Sequence, residues 1–340
     1  MKRFTLSMPV RYIINTAVLI TLLIVGNQIV GSGILGRAQT SVIIQVGFFI
    51  ILAVSLNMVT GYLGQLPLGH AGFMAAGAYA GALFWRAAIL PGAASVVGGL
   101  IVAGVAAAIA GVIIGIPALR LRGDYLAIIT LGFGEIIRVI LNNLDSITYG
   151  ARGLRNIPRY SSFLVVYICV IVACGAIHMI MKSRHGRAIL SIKENEIAAE
   201  SCGINTTYYK VLTFAVSAFF AGVAGALFAG NLGIIAPANF DFMTSINILM
   251  IVVLGGLGSM MGSIIAAIVL TSLPLALQHP ALQAINDFRM IIFATLLIVT
   301  MIFKPSGLMG NYDFSLSRLI EKTVNRAITG KTAGKLKSGK

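Results

Sequence analysis

Acidic side chains are scarce here: ten Asp and Glu stand in 340 residues, and charged residues of both signs make up only 10%. Soluble domains carry about a quarter. The length would allow two soluble domains, but 58% of the residues are hydrophobic and mean hydropathy is +0.95. Histidine is rare (His70, His178, His185, His279), and so is cysteine (Cys169, Cys174, Cys202). Three cysteines, two of them in one apolar run, make neither a metal-ligand spacing nor a disulfide framework. No Ser/His/Asp set stands at workable positions, which argues against an enzyme. Gly330-Lys331-Thr332 imitates the end of a phosphate loop, but Asn325 holds the leading glycine position and no strand precedes it. What is plentiful is apolar sequence and glycine, 38 of the latter. This is the composition of an all-α, polytopic membrane protein.

The net charge of +15 raises nucleic acid as a partner. The distribution of the basic residues answers otherwise. About 20 apolar residues cross the hydrocarbon as a helix, and candidate spans are 12–30, 41–59, 73–90, 95–119, 125–144, 163–181, 209–230 and 288–303, with a more complex segment at 244–278. Counting broken or re-entrant pieces, that is about 8–10 membrane segments. The run 12–30 is longer than a signal-peptide core and lacks a convincing cleavage site, so it reads as the first span. With both termini cytoplasmic, 18 of the 25 Lys and Arg fall in the inner segments 1–11, 118–124, 182–210 and 304–340, against five outside. That asymmetry fits the positive-inside rule. Residues 1–310 then form a transmembrane domain and 311–340 a basic cytoplasmic tail, partly disordered and suited to anionic lipid.

Topology makes a demand on 244–278. Segment 209–230 ends outside and the basic tail ends inside, so a single crossing there followed by 288–303 arrives on the wrong side. A straight helix of that length would also measure about 52 Å, against about 30 Å of hydrocarbon. The expectation is a half-helix entering from outside, a break at Gly255-Gly256-Leu257-Gly258, and a return outward. Such backbone is tolerated only under cover of protein or beside water. A second break stands at Gly61-Tyr62-Leu63-Gly64-Gln65, so Gly-x-Leu-Gly recurs after two inward-running segments. Interrupted segments at matching places point to a transporter's substrate path. Most other glycines, such as Gly77 and Gly81 or Gly111 and Gly115, read as close helix packing.

Few polar residues interrupt the spans. Glu135 and Arg138, three apart on one helix, can pair; they either line the path or its gate, or fix helix packing. A charge at mid-membrane costs about 2.5–3.5 kcal/mol on insertion scales, so the pair has a purpose. His70 is a path residue or a hydrogen-bonded packing histidine, and Asn57 an interhelical hydrogen bond or a substrate contact. Asp241, in the loop 231–243, is a solvated acid or meets a partner. Candidate path residues are therefore Asn57, Gly61, Gly64, Gln65, His70, Glu135, Arg138, Gly255, Gly256 and Gly258.

The longest polar excursion before the tail is 182–210. Ala188, Ile189, Ile192 and Glu196 lie at helical spacing, Ala198 and Ala199 follow, and Gly203 ends the helix. The order Gly186-Arg187-Ala188, Glu196-Ile197-Ala198-Ala199-Glu200 and Gly203-Ile204-Asn205 resembles the cytoplasmic coupling loop of ABC importer permeases, whose general pattern is Glu-Ala-Ala, three residues, Gly. Ile197 stands where that pattern has Glu and the acid is one earlier, a shift shared by branched-chain amino-acid permeases. Similar matches run through Leu56–Tyr62 to Tyr79, Leu121–Ile128, Thr130–Arg138 and Val253–Gly262, so the resemblance covers roughly 45–305. It is to the longer of that importer's two permease subunits; the outer turn Tyr149-Gly150-Ala151-Arg152-Gly153-Leu154-Arg155 departs from the family's pattern.

The resemblance implies a type II ABC importer permease in a bacterial inner membrane. It implies a second permease as heterodimer partner, two cytoplasmic ATPases that bind the ATP and Mg, and an extracytoplasmic binding protein. This chain itself would hold no cofactor or metal and bind no nucleic acid. Coupling residues would be Arg187, Ala188, Glu196, Ala198, Ala199, Glu200 and Gly203. Importers for urea, amides or another small polar solute are the nearest alternative, and a stand-alone secondary transporter a further one.

Overall fold

The computed structural model describes residues 21, 23–32, 36–88, 90–119, 121, 123–277 and, singly, 295, 298, 302, 303 and 307. Residues 36–311 form one compact unit, and 1–35 with 312–340 another. In the second unit the described residues are helical over 23–31. Most of the expected span 12–30, the span 288–303 and the 310/311 domain boundary lie outside the described residues.

The larger unit is helical. Among the described residues the only β pairing is an isolated bridge, Leu154 with Ile235. Its helices are α1 (Arg37–Asn57), α2 (His70–Arg86), α3 (Gly92–Ala118), α4 (Asp124–Asn143), α5 (Phe163–Lys182), α6 (Arg184–Glu194), α7 (Glu196–Ser201), α8 (Thr206–Leu232), α9 (Phe242–Gly255) and α10 (Met260–Leu277). Five segments are long and apolar enough to cross a membrane: Ala38–Tyr62, Gly92–Ala118, Phe163–Lys182, Thr206–Leu232 and Pro237–Gly255. The polytopic helical class expected from composition is what the chain adopts.

Small residues decide how the core is built. Lipid tails are as apolar as leucine, so membrane helices gain by close backbone approach rather than by hiding apolar area. α8 is the central post, packed on α1, α2 and α3. At Gly222 it meets the backbone of Gly77 on α2 and the Ala103 carbonyl on α3; at Gly225 it meets the Met74 carbonyl. Above this seam the single tryptophan, Trp85, is buried and donates its indole N–H to the Ser95 carbonyl (2.9 Å), closing the α2–α3 turn.

The expected break in 244–278 is present. α9 itself has 14 residues, about 21 Å of helix, and reaches spanning length only with the turn Pro237–Phe240 before it. Gly256 (φ 109°) and Gly258 (φ 85°) follow in conformations that favour glycine, and α10 then begins. Gly255 abuts the Gly262 backbone. Seven residues apart on a continuous helix they would be about 10 Å apart, so the chain reverses and α9–α10 is a hairpin.

A first prediction concerns the seam. Valine at Gly222 drives two methyl groups into the backbones of α2 and α3, and overpacking of this kind costs about 1–3 kcal/mol. Gly222→Val should lower the thermal midpoint of the detergent-solubilised protein while Gly132→Ala, whose Cβ meets nothing within 4 Å, leaves it unchanged. Equal midpoints for both would remove the close-packing account.

Candidate translocation site

The two glycine breaks, some 200 residues apart in sequence, meet. α1 does not end cleanly but widens into a π-helical turn over Met58–Tyr62, a distortion common at functional sites. Asn57, at its base and buried, reaches the second break. Its Nδ2 donates to the Ser259 carbonyl (3.0 Å) and Ser263 Oγ (2.9 Å), and its Oδ1 accepts from Gly258 N–H (2.8 Å). A Cβ on Gly61 would collide with both Asn57 Oδ1 and the Gly258 backbone. Of the two readings of Asn57, the structure thus displays the interhelical hydrogen bond. Gly307 packs against Gly256 from the other side.

Past Gly61 the chain touches the polar loop 182–210: Gly64 (φ 76°) lies against the stem of Lys193 on α6, 3.1 Å from a would-be Cβ. Gln65 N–H donates to the Val59 carbonyl (3.1 Å), folding the segment back. It then re-enters the bundle, so α2 starts within the protein. His70 is buried and shares a hydrogen bond with Ser55 Oγ (3.1 Å), which is the packing role. Ala71 N–H donates to Ser245 Oγ on α9 and Leu68 N–H to Thr130 Oγ1 on α4, both at 3.0 Å. Gly69 and Gly72 let α4 approach at Thr130 and Gly134.

A small cleft, with room for about one water molecule, lies where the start of α2, the middle of α4 and the start of α9 converge; Leu131, Glu135, Phe240, Asp241 and Phe242 line it. Asp241 caps α9, its Oδ1 accepting from Thr244 N–H (2.8 Å) and Thr244 Oγ1 (2.9 Å); it is half-buried in the cleft rather than a free loop acid. Arg138 Nε donates to Glu135 Oε2 at 2.7 Å, with the two side chains 36% and 33% exposed.

The polar loop differs in one respect from a single amphipathic helix. Asn195 is extended (φ −158°, ψ 108°) and caps a new helix by accepting from Ala198 N–H, so α6 and α7 are separate pieces. Ser183 caps α6 in the same way. Arg187 is exposed, Ala188 half-buried, and the two alanines part: Ala199 is buried in the protein, Ala198 faces out beside Ile197, which is 69% exposed. Both acids bond to α8, Glu196 half-buried and Glu200 exposed. Glu196 Oε1 accepts from Lys210 Nζ (2.6 Å) and Glu200 Oε1 from Thr206 Oγ1 (2.6 Å), fastening α7 to α8. Gly203 (φ 81°) turns the chain after α7.

Sequence reasoning missed Ser259, Ser263, Thr130, Ser245 and Gly307. The pair Ser259 and Ser263, four apart directly after a glycine break, carried a signal; the others had none without knowing which segments meet.

Two predictions follow from these bonds. Asn57→Leu strands the half-buried Gly258 N–H and removes the donor to the buried Ser259 carbonyl, a loss of about 1–3 kcal/mol, and should lower the thermal midpoint and the yield of folded protein; a midpoint matching wild type would mean the breaks are not stitched there. Lys210 is 4% exposed and Glu196 20%, so removing the acid leaves a buried ammonium without this partner. Glu196→Ala should therefore destabilise more than Lys210→Met, read as the order of their thermal midpoints; the reverse order would refute the assignment.

The family described as branched-chain amino acid transport system, permease component, matches residues 38–301. The chain is 34% identical over 315 residues to the high-affinity branched-chain amino acid transport system permease protein LivM of Salmonella typhimurium, covering 80% of this chain and 70% of the relative. It is 35% identical over 303 residues to LivM of Escherichia coli, covering 77% and 67%. To LivH of Escherichia coli it is 26% identical over 288 residues, covering 77% and 91%. No solved structure matches the chain.

Proposed function

This chain belongs to the family of permease components of branched-chain amino acid transport systems, and on that premise we propose that it is one permease subunit of an ATP-driven importer for leucine, isoleucine and valine. The observation that carries the reading is the family match itself, which runs through both glycine breaks, the cleft and the polar loop. The partner permease would be a second chain of the same family, since LivM and LivH are both relatives. Two cytoplasmic ATPases and a binding protein on the opposite face would complete the assembly. The chain is a multi-pass membrane protein, and the bacterial inner membrane with both termini cytoplasmic is the placement that its loop charges favour.

The polar loop supports the coupling role. Ile197 and Ala198 expose an apolar tip on a short helix whose other face is fixed to α8 by Glu196 and Glu200. A small apolar tip suits a partner's cleft, and a fixed base transmits its movement. The path would run along the paired breaks, with Asn57, Gly61, Gly64, Gln65, His70, Gly255, Gly256 and Gly258 as framework rather than ligands.

The test is uptake of radiolabelled leucine by vesicles holding both permeases and the ATPases, with the binding protein added. Uptake should require ATP inside or outside according to ATPase orientation, and Ala198→Trp should abolish it and release the ATPases on co-purification while insertion stays normal. Wild-type uptake by that variant would remove the coupling role of α7. Uptake by this chain alone without ATP would favour a secondary transporter.

A further inference from the structure

We propose that Arg152, Arg155 and Arg159 form a docking surface for an acidic patch on a soluble extracytoplasmic protein, which on the importer reading is the binding protein. The inference rests on that reading and says where on this chain, and by what chemistry, the delivering protein would be held.

The three arginines stand close together in and just after the turn whose sequence departs from the family's pattern. The segment 149–161 joins α4 to α5, and α5, with 20 residues or about 30 Å of helix, separates it from the polar loop 182–210. It therefore lies at the end of the bundle opposite the proposed coupling surface. The positive-inside rule leaves that end poor in cations, so a cluster of three there calls for a reason. All three side chains are exposed, and among the described residues none meets a carboxylate. The acids of neighbouring turns are otherwise engaged: Asp145 lies against Gly150, and Asp241 caps α9.

The backbone that carries them is firmly held. Leu154, Ile157 and Ser161 alternate with the arginines and are buried. Leu154 exchanges both backbone bonds with Ile235 (2.8 and 3.0 Å), and Ile157 N–H donates to the Gly233 carbonyl (3.1 Å). Ser161 Oγ donates to the Leu227 carbonyl (2.7 Å). Each anchor belongs to the last turns of α8 or the loop after it. The segment thus crosses the end of the central post, over the bundle rather than around its lipid-facing rim, and that favours a protein partner over lipid headgroups. Tyr149 and Asn156 have positive φ (60° and 58°), which residues other than glycine rarely adopt. Arg86 holds Tyr149 there, donating to its hydroxyl (2.8 Å) and standing over its ring. Strained backbone persists only where its surroundings over-determine it, and it gathers at functional sites. Guanidinium groups on such a support take carboxylates two bonds at a time, and the surface's charge steers an acidic partner toward it.

The experiment is leucine uptake in the vesicle assay at graded concentrations of the binding protein. The triple variant Arg152→Gln, Arg155→Gln and Arg159→Gln removes only exposed groups, so it should insert and co-purify with its partners like wild type. Its half-maximal binding-protein concentration should rise about tenfold or more, while the rate at saturation stays within about twofold. Added salt should raise the half-maximal concentration for wild type and leave the variant's nearly unchanged. A variant with the wild-type half-maximal concentration would overturn the proposal. So would a loss seen only in vesicles containing phosphatidylglycerol, which would assign the arginines to lipid. Fluorescently labelled binding protein, captured on nanodiscs holding the wild-type or variant complex, reads docking without transport. Equal capture by both would overturn the docking surface, whereas wild-type vesicles that take up none of leucine, isoleucine and valine would remove the importer reading alone.

Discussion

Everything in this fold answers to the absence of water in the bilayer core. A helix satisfies its own backbone there; a broken helix does not, and each stranded N–H or C=O costs several kcal/mol. The chain breaks twice and satisfies the breaks with each other. Asn57 is the hinge of that solution, since one side chain accepts from Gly258 N–H and donates to the Ser259 carbonyl and Ser263 Oγ. Once α1 is joined to the α9–α10 turn, the start of α2 is also fixed. Ala71 N–H, one of the free donors that every helix start leaves, finds Ser245 on α9, and Leu68 N–H finds Thr130 on α4. The cleft is the space these short contacts leave.

Glycine serves two different purposes in this arrangement. At Gly64, Gly203, Gly256 and Gly258 the backbone has positive φ, which other residues resist. At Gly77, Gly222 and Gly225 the backbone is ordinary helix and the need is proximity: a Cβ would enter the neighbouring main chain. Gly61 and Gly255 belong to the second kind although they stand in the breaks. The breaks are thus packed objects as well as turned ones, with no slack in which a side chain would fit.

Much of this was legible in the sequence because hydrocarbon is a strict solvent. Length against bilayer thickness demanded a break in 244–278, and the α9–α10 hairpin contains it. The repeat Gly-x-Leu-Gly marked both places. That the repeats touch was not legible, since contact between residues 57 and 258 depends on how α1 and the α9–α10 hairpin pack. Polar residues with two readings have partners that the sequence could not name: Ser55 for His70 and the second break for Asn57. The polar loop was read as one helix because Ile189, Ile192 and Glu196 keep helical spacing, yet Asn195 can cap, and it starts a new helix there. Ala198 and Ala199, adjacent in sequence and so about 100° apart on α7, end one exposed and one buried.

The order of contacts bears on how such a subunit would work. Lys193 of α6 lies on Gly64, Gly61 lies on Gly258, and Gly255 lies on Gly262. The first is made by the stem of the Lys193 side chain, and the other two bring backbone against backbone, with the Asn57 amide bonded between the two breaks. Packed elements of this kind shift together rather than deform. A displacement of the α6–α7 unit, which Glu196 and Glu200 tie to α8, would therefore act on the first break and through it on the second. The starts of α2 and α9 form two walls of the small cleft, and Leu131, Gly134 and Glu135 of α4, the helix that meets α2 at Gly69 and Gly72, form the third. Each break is covalently continuous with one of those first two walls, so movement of the proposed coupling surface would reach them through the breaks.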